Sequence, residues 1–197
     1  LDRFGHKYGP SSHEVRKRVE YLDSKIEKSF HMLSKEYKEL FFIIMSDHGM
    51  VPVEKTIDIE TKLCTQIDAK PLKDYLYYIG STFVSFLFFN DNAREEVINM
   101  LQKLNEYGRA LINEELNSLG IDREIYGHTI FVLNDGIVFF PNFFQRKNAP
   151  KGMHGYFNTQ YDKPIFITNI DNRKLRYVQQ LRFTNINKVI LEFFDAR

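Results

Sequence analysis

The chain has 197 residues, 43% hydrophobic and 27% charged, enough apolar material for a sizeable core and too much for a disordered chain. A formal net charge of +1 gives no global field to draw a nucleic-acid polymer or an anionic membrane, so neither is expected as a partner. Cys64 is the single cysteine, so no internal disulfide forms; with no Asn-x-Ser/Thr sequon, no leader and no apolar run near the roughly 20 residues of a membrane span, a reducing, cytoplasmic setting is expected.

Leu1 to His6 reads as the end of a strand running into a loop. Pro10, Ser11 and Ser12 then signal a helix start with a serine cap. Val15, Val19, Leu22, Ile26, Phe30, Leu33 and Tyr37 follow at spacings of three and four, one apolar stripe on a long amphipathic helix. Arg16, Lys17 and Arg18 fall on its polar face. Leu40 to Met45 is a continuous apolar run, which suits a strand buried on both faces as in a parallel sheet. Ser46-Asp47-His48-Gly49 ends it. Strand end, loop, helix, strand and loop make a βαβ pattern. Ligands of such sheets gather beyond the carboxyl ends of the strands, which would put Asp2, His6, Asp47 and His48 at one edge.

The middle of the chain has a different character. Pro71 to Tyr78 reads as a short helix, Thr82 to Phe89 as a strand, Asn92 to Tyr107 as a helix and Arg109 to Leu119 as another. Thr129 to Leu133 and Ile137 to Phe140 flank Asn134-Asp135-Gly136, a hairpin turn signal. This stretch, about 70–145, is expected to be an α+β insertion over the sheet edge. Residues 145–155 form a loop, Pro164 to Thr168 another buried strand, and Thr184 caps a last helix reaching Phe194. The aromatic excess, 18 Phe and 11 Tyr, lies mostly in short apolar runs and is read as core filling.

Five side chains carry the chemistry. Asp2 and His6, four residues apart, reach one ion from a helix turn or a tight loop, and Gly5, Gly9 and Pro10 shape the backbone around them. Asp47 and His48 turn towards one ion in the loop after a buried strand. His154 sits between Met153 and Gly155 in a loop. Carboxylate oxygen with imidazole nitrogen is a zinc-class donor set. Five donors exceed the usual complement of one ion and suit two, which can clamp the attacking and leaving oxygens of a phosphoryl transfer. His13 and His31 read as surface groups, Cys64 as a packed or exposed thiol, and Lys151 as a solvated loop lysine.

Asp2-Arg3-Phe4-Gly5-His6-Lys7-Tyr8-Gly9-Pro10 resembles the Asp-x-x-Gly-His-x-x-Gly-Pro motif of the type I phosphodiesterase/nucleotide pyrophosphatase family, within the alkaline phosphatase superfamily. Ser46-Asp47-His48-Gly49-Met50 resembles its Ser-Asp-His-Gly-Met motif, and Lys151-Gly152-Met153-His154-Gly155 its Lys-Gly-x-His-Gly motif. The three stand in the family's order across nearly the whole chain. One departure follows them: the family often continues with Asp-Asn where this chain has Phe157-Asn158.

The resemblance implies an α/β fold, an alkaline-phosphatase-like, mostly parallel sheet flanked by helices. Residues 1–197 would be the C-terminal part of that catalytic domain, incomplete by itself. It assigns Asp2, His6 and His154 to one zinc ion and Asp47 and His48 to the other. The nucleophile, a Thr or Ser, and a further Asp belong upstream of Leu1; Ser46, Thr56 and Thr82 do not match its position. The expected activity is hydrolysis of phosphodiester or nucleotide pyrophosphate bonds in small molecules. Phosphomonoester or phosphonoacetate hydrolysis, and a non-catalytic metal-binding module, stay open as alternatives. With so few cysteines the chain resembles bacterial or archaeal cytoplasmic members.

Overall fold

The computed structural model describes residues 1–157, 159, 163–169 and 185–195. In chain order they form α1 (Asp2–Tyr8), α2 (His13–Glu36), β1 (Ile43–Met45), β2 (Val51–Pro52), β3 (Lys55–Ile57), α3 (Ile59–Gln66), β4 (Tyr75–Ile79), β5 (Phe83–Phe88), α4 (Asp91–Gln102), β6 (Gly108–Ala110), α5 (Asn113–Ser118), α6 (Arg123–Tyr126), β7 (Thr129–Leu133), β8 (Ile137–Phe139), β9 (Gly152–Met153), β10 (Phe166–Thr168) and α7 (Ile186–Asp195). The chain divides into two compact units: Leu1–Arg16 with Met50–Asp162, and Lys17–Gly49 with Lys163–Arg197.

The first unit is built on a four-stranded antiparallel sheet, ordered β4-β5-β7-β6. In β5, Val84, Phe86 and Phe88 alternate with less buried neighbours, so period two puts them on one face. There they join Tyr75, Ile79, Phe131 and Leu133 of the sheet, Ile59 and Leu63 of α3, and Val97, Met100 and Leu101 of α4 in one core. Each large side chain buried in this way contributes roughly 1.5–3 kcal/mol. Both helices begin on side-chain caps: Asp58 accepts from the Thr61 N–H and Asn90 from the Ala93 N–H, each at 2.9 Å. The Glu96 carboxylate accepts the N–H groups of Asp68 (2.7 Å) and Ala69 (2.9 Å), tying α4 to the segment after α3. These two donors hold its pKa below the usual value. On the other face, Leu111, Leu116 and Ile130 pack with Phe83, Ile121, Val132 and Phe157.

Several expected elements take another form here. The segment read as a helix at 71–78 is strand β4, because Tyr75 to Ile79 pair with Phe88 to Val84 across the tight turn at Gly80. Residues 109–119 divide into β6 and α5. The helix expected at 92–107 ends at Gln102 and continues as turns. Strands at 129–133 and 137–139 are present, but they make no hairpin. β7 already has β5 on one edge and β6 on the other, so β8 turns away and pairs in parallel with β3.

In the second unit β1 pairs antiparallel with β10, matching Ile43 to Thr168 and Met45 to Phe166. Neither strand is buried on both faces, as each has only that partner among the described residues; β1 is half-buried and Ile167 is 54% exposed. Asn169 braces the pair, accepting from the Phe42 N–H (2.8 Å) and donating to the Leu40 carbonyl (2.7 Å). Among the described ladders β3–β8 is the parallel one, so the parallel pairing expected to dominate is not seen in these residues. The Ser12 hydroxyl caps α2, accepting from the Val15 N–H at 3.3 Å. Leu22, Ile26, Phe30 and Leu33 of its stripe are partly buried. α7 buries Val189; the cap expected at Thr184 lies outside the described residues. No helix among the described residues is long and apolar enough to cross a membrane.

Candidate metal centre

The first motif is a helix, not a strand end. α1 places Asp2 and His6 one turn apart on the same face, where Asp2 Oδ1 lies 3.2 Å from His6 Nε2. Leu1 to His6 is therefore not a strand end, and among the described residues the opening runs helix, helix and strand. Gly5 in mid-helix costs about 1 kcal/mol of helix propensity relative to Ala. Its missing side chain has a use, because a methyl there would overlap the Met50 sulfur.

The third motif comes to the same place. β9 pairs with β2, and Val51, Met153, Val138 and Tyr156 form a small core beneath it. The Lys151 N–H donates to the His6 carbonyl at 2.7 Å. A methyl on Gly152 would stand 2.7 Å from the Gly5 carbonyl oxygen and 2.9 Å from Pro10 Cδ. Gly152 thus lets β9 approach the backbone of α1. That approach brings the His154 ring within 5.1 Å of the His6 ring, centroid to centroid, with His154 Nε2 3.5 Å from Asp2 Oδ1.

One carboxylate oxygen and two imidazole nitrogens therefore converge, all within 4.8 Å of one another. Ligands about 2.0–2.1 Å from a tetrahedral zinc stand roughly 3.3 Å apart, which is the spacing from Asp2 to each histidine. The His6 Nδ1 lies 2.8 Å from the Gly152 carbonyl oxygen, which only accepts, so Nδ1 carries the proton and Nε2 faces Asp2. The residues present fit a zinc-class ion.

Asp47 and His48 form their own pair after β1. The His48 N–H donates to Asp47 Oδ1 (3.1 Å), and the two side chains approach to 3.6 Å. The His48 Nδ1 donates to the Gly49 carbonyl at 2.8 Å, which leaves Nε2 facing Asp47 as His6 Nε2 faces Asp2. Asp47 is largely exposed and His48 partly buried. Sequence reasoning missed the Gly152 carbonyl as the group that orients His6. The signal was there: a glycine two residues before the candidate histidine His154.

His13, His31, Cys64 and Lys151 are exposed, as expected. His128 is structural: its Nδ1 accepts from the Phe88 N–H at 3.0 Å and its Nε2 faces Glu124 at 3.4 Å.

The family described as type I phosphodiesterase / nucleotide pyrophosphatase matches residues 1–157. The chain belongs to that family. Among curated proteins none matches it. Among solved structures it is similar to murine ectonucleotide pyrophosphatase/phosphodiesterase 5, with TM-score 0.66 and 22% identity over 85% of this chain and 44% of that one. The human protein of the same name gives 0.65 and 23% over the same shares. Phosphonoacetate hydrolase from Sinorhizobium meliloti 1021, in complex with phosphonoacetate, gives 0.65 and 17%, covering 100% of this chain and 50% of that one. These likenesses show that the chain shares the α/β fold of those structures. The chain spans about half the length of the structures it matches.

Proposed function

We propose that this chain is the metal-binding part of a hydrolase that cleaves phosphodiester or nucleotide pyrophosphate bonds with two zinc-class ions. Residues 1–197 are read as the C-terminal part of its catalytic domain, with about 70–145 as an inserted subregion. The observation that carries the reading is the Asp2 carboxylate flanked at 3.2 and 3.5 Å by the Nε2 atoms of His6 and His154. These three would hold one ion; Asp47 and His48 would contribute to the other. When bound, such ions neutralise charge on the phosphoryl oxygens and lower the pKa of a coordinated hydroxyl. The chain's own part is to aim the donors: the Gly152 and Gly49 carbonyls each fix one imidazole tautomer.

The nucleophile is read as lying ahead of Leu1. Ser46 and Thr82 have other duties, since the Ser46 hydroxyl accepts from the Ile165 N–H and Thr82 donates to the Gly155 carbonyl. The murine relative is inactive when one threonine is replaced by alanine, and in that form it is found with AMP. This supports a threonine nucleophile and a nucleotide-like substrate. The single cysteine favours a cytoplasmic setting.

Metal analysis of the intact protein should find two divalent ions, with turnover of bis-p-nitrophenyl phosphate exceeding that of p-nitrophenyl phosphate. Turnover of phosphonoacetate alone would shift the assignment to the phosphonate reading, which the overlap of this whole chain with half of the Sinorhizobium enzyme favours. A protein that binds metal but turns over none of these is a non-catalytic module. One that binds no divalent metal refutes the proposal.

A further inference from the structure

We infer that Thr82, at the tip of the β4–β5 hairpin, is a positioning residue for His154, an inference that rests on the metal-site reading above. The Thr82 hydroxyl donates to the Gly155 carbonyl at 2.8 Å, across 73 positions of sequence. Thr82 is 6% exposed, so its hydroxyl sits on the buried side of this bond, where a lost partner is costly. Gly155 follows His154 directly, and a Cβ on it would meet nothing within 4 Å. Gly155 has no side chain to pack, and the Thr82 hydroxyl holds its carbonyl.

The hairpin tip is itself rigid. The Phe139 N–H donates to the Ser81 carbonyl and the Leu133 N–H to the Thr82 carbonyl, both at 2.8 Å, while the Gly80 N–H donates to the Phe83 carbonyl at 2.9 Å. Before His154, Met153 is held in the β2–β9 pairing at 5% exposure. His154 thus lies between the β9 ladder before it and, after it, the Gly155 carbonyl held by Thr82 and the buried Tyr156. The Thr82 hydroxyl comes from the 70–145 subregion. Through that hydroxyl the subregion tunes how firmly His154 meets the ion beside Asp2 and His6.

The test is zinc affinity, read by chelator competition on intact wild-type protein and its Thr82→Val, Thr82→Ala and Thr82→Ser variants. Removing an outer-shell partner costs roughly 10–100-fold in metal affinity. Thr82→Val should show a loss of that size at one of the two ions, the other unchanged, and Thr82→Ser should recover most of it. If the valine protein does not fold, the alanine and serine variants decide the matter by the same comparison. Equal affinity in folded variants with and without the hydroxyl overturns the role of Thr82. Absence of zinc from the wild type overturns the metal reading itself, and this inference with it.

Discussion

The Nδ1–H of His6 donates to the carbonyl oxygen of Gly152, 2.8 Å away and 146 positions along the chain. One bond fixes the tautomer of a candidate ligand and joins the first motif to the third. Gly152, with no side chain, leaves the room for it where β9 meets α1.

Gly152→Ala tests that junction. Its methyl would stand 2.7 Å from the Gly5 carbonyl oxygen and 2.8 Å from the Met50 sulfur. The backbone oxygen has little room to retreat, so α1 and β9 must separate, with overpacking costing about 1–3 kcal/mol. Thermal unfolding should show a lower melting temperature, and a zinc titration should show weaker binding. An unchanged affinity would mean that the close approach is irrelevant to the site.

Alanine at individual ligands separates the two ions. His6→Ala and His154→Ala are each expected to lose one ion and most activity, leaving the second ion bound. Asp47→Ala should weaken the other ion. Metal-to-protein ratios measured by elemental analysis check this; full occupancy in His154→Ala would remove that residue from the site.

Glu115 is expected to give a pH-dependent contribution to stability. Arg109 binds its carboxylate through two bonds of 2.6 and 2.7 Å, and the Ile112 N–H adds a third at 3.1 Å. The guanidinium first, and then that N–H, hold the Glu115 pKa down at about 2 against an ordinary 4.5. A folded value below the unfolded one means that stability is present above about 4.5 and is lost as pH falls towards 2. Glu115→Gln should therefore melt below the wild type at neutral pH, with the gap closing between pH 4.5 and 2. A constant gap across that range would assign the effect to packing.

Packing predictions separate the core from the surface. Phe86 is fully buried among β4, β5, β7 and the two helices, so Phe86→Ala should cost about 3–5 kcal/mol in urea denaturation. Phe144 is 68% exposed, and Phe144→Ala should change stability by no more than about 0.5 kcal/mol. A large loss at Phe144 would reveal a surface that another part of the protein covers.

The residues that meet at the candidate site were legible before any fold was known. Asp2, His6 and His154 lie in motifs whose glycines and spacings are local, and a local pattern survives whatever the chain does elsewhere. The serine before α2 and the strand at β5 were legible for the same reason: capping and strand preference involve neighbours within a few residues.

Pairing was not local. Tyr75 to Ile79 is an unbroken apolar run, and such a run suits a helix or a strand until a partner appears; β5, one tight turn later, decides it. Asn134-Asp135-Gly136 makes its turn, yet the strands it joins separate because both edges of β7 are already occupied. The sequence by itself determined which side chains carry donors and where the chain turns. Only the tertiary structure decided that the first motif is a helix, that it lies against β9, and that a threonine from a distant hairpin holds the loop of His154. Those outcomes depend on which surfaces find one another, and a bond spanning 146 positions leaves no trace in any short window of residues.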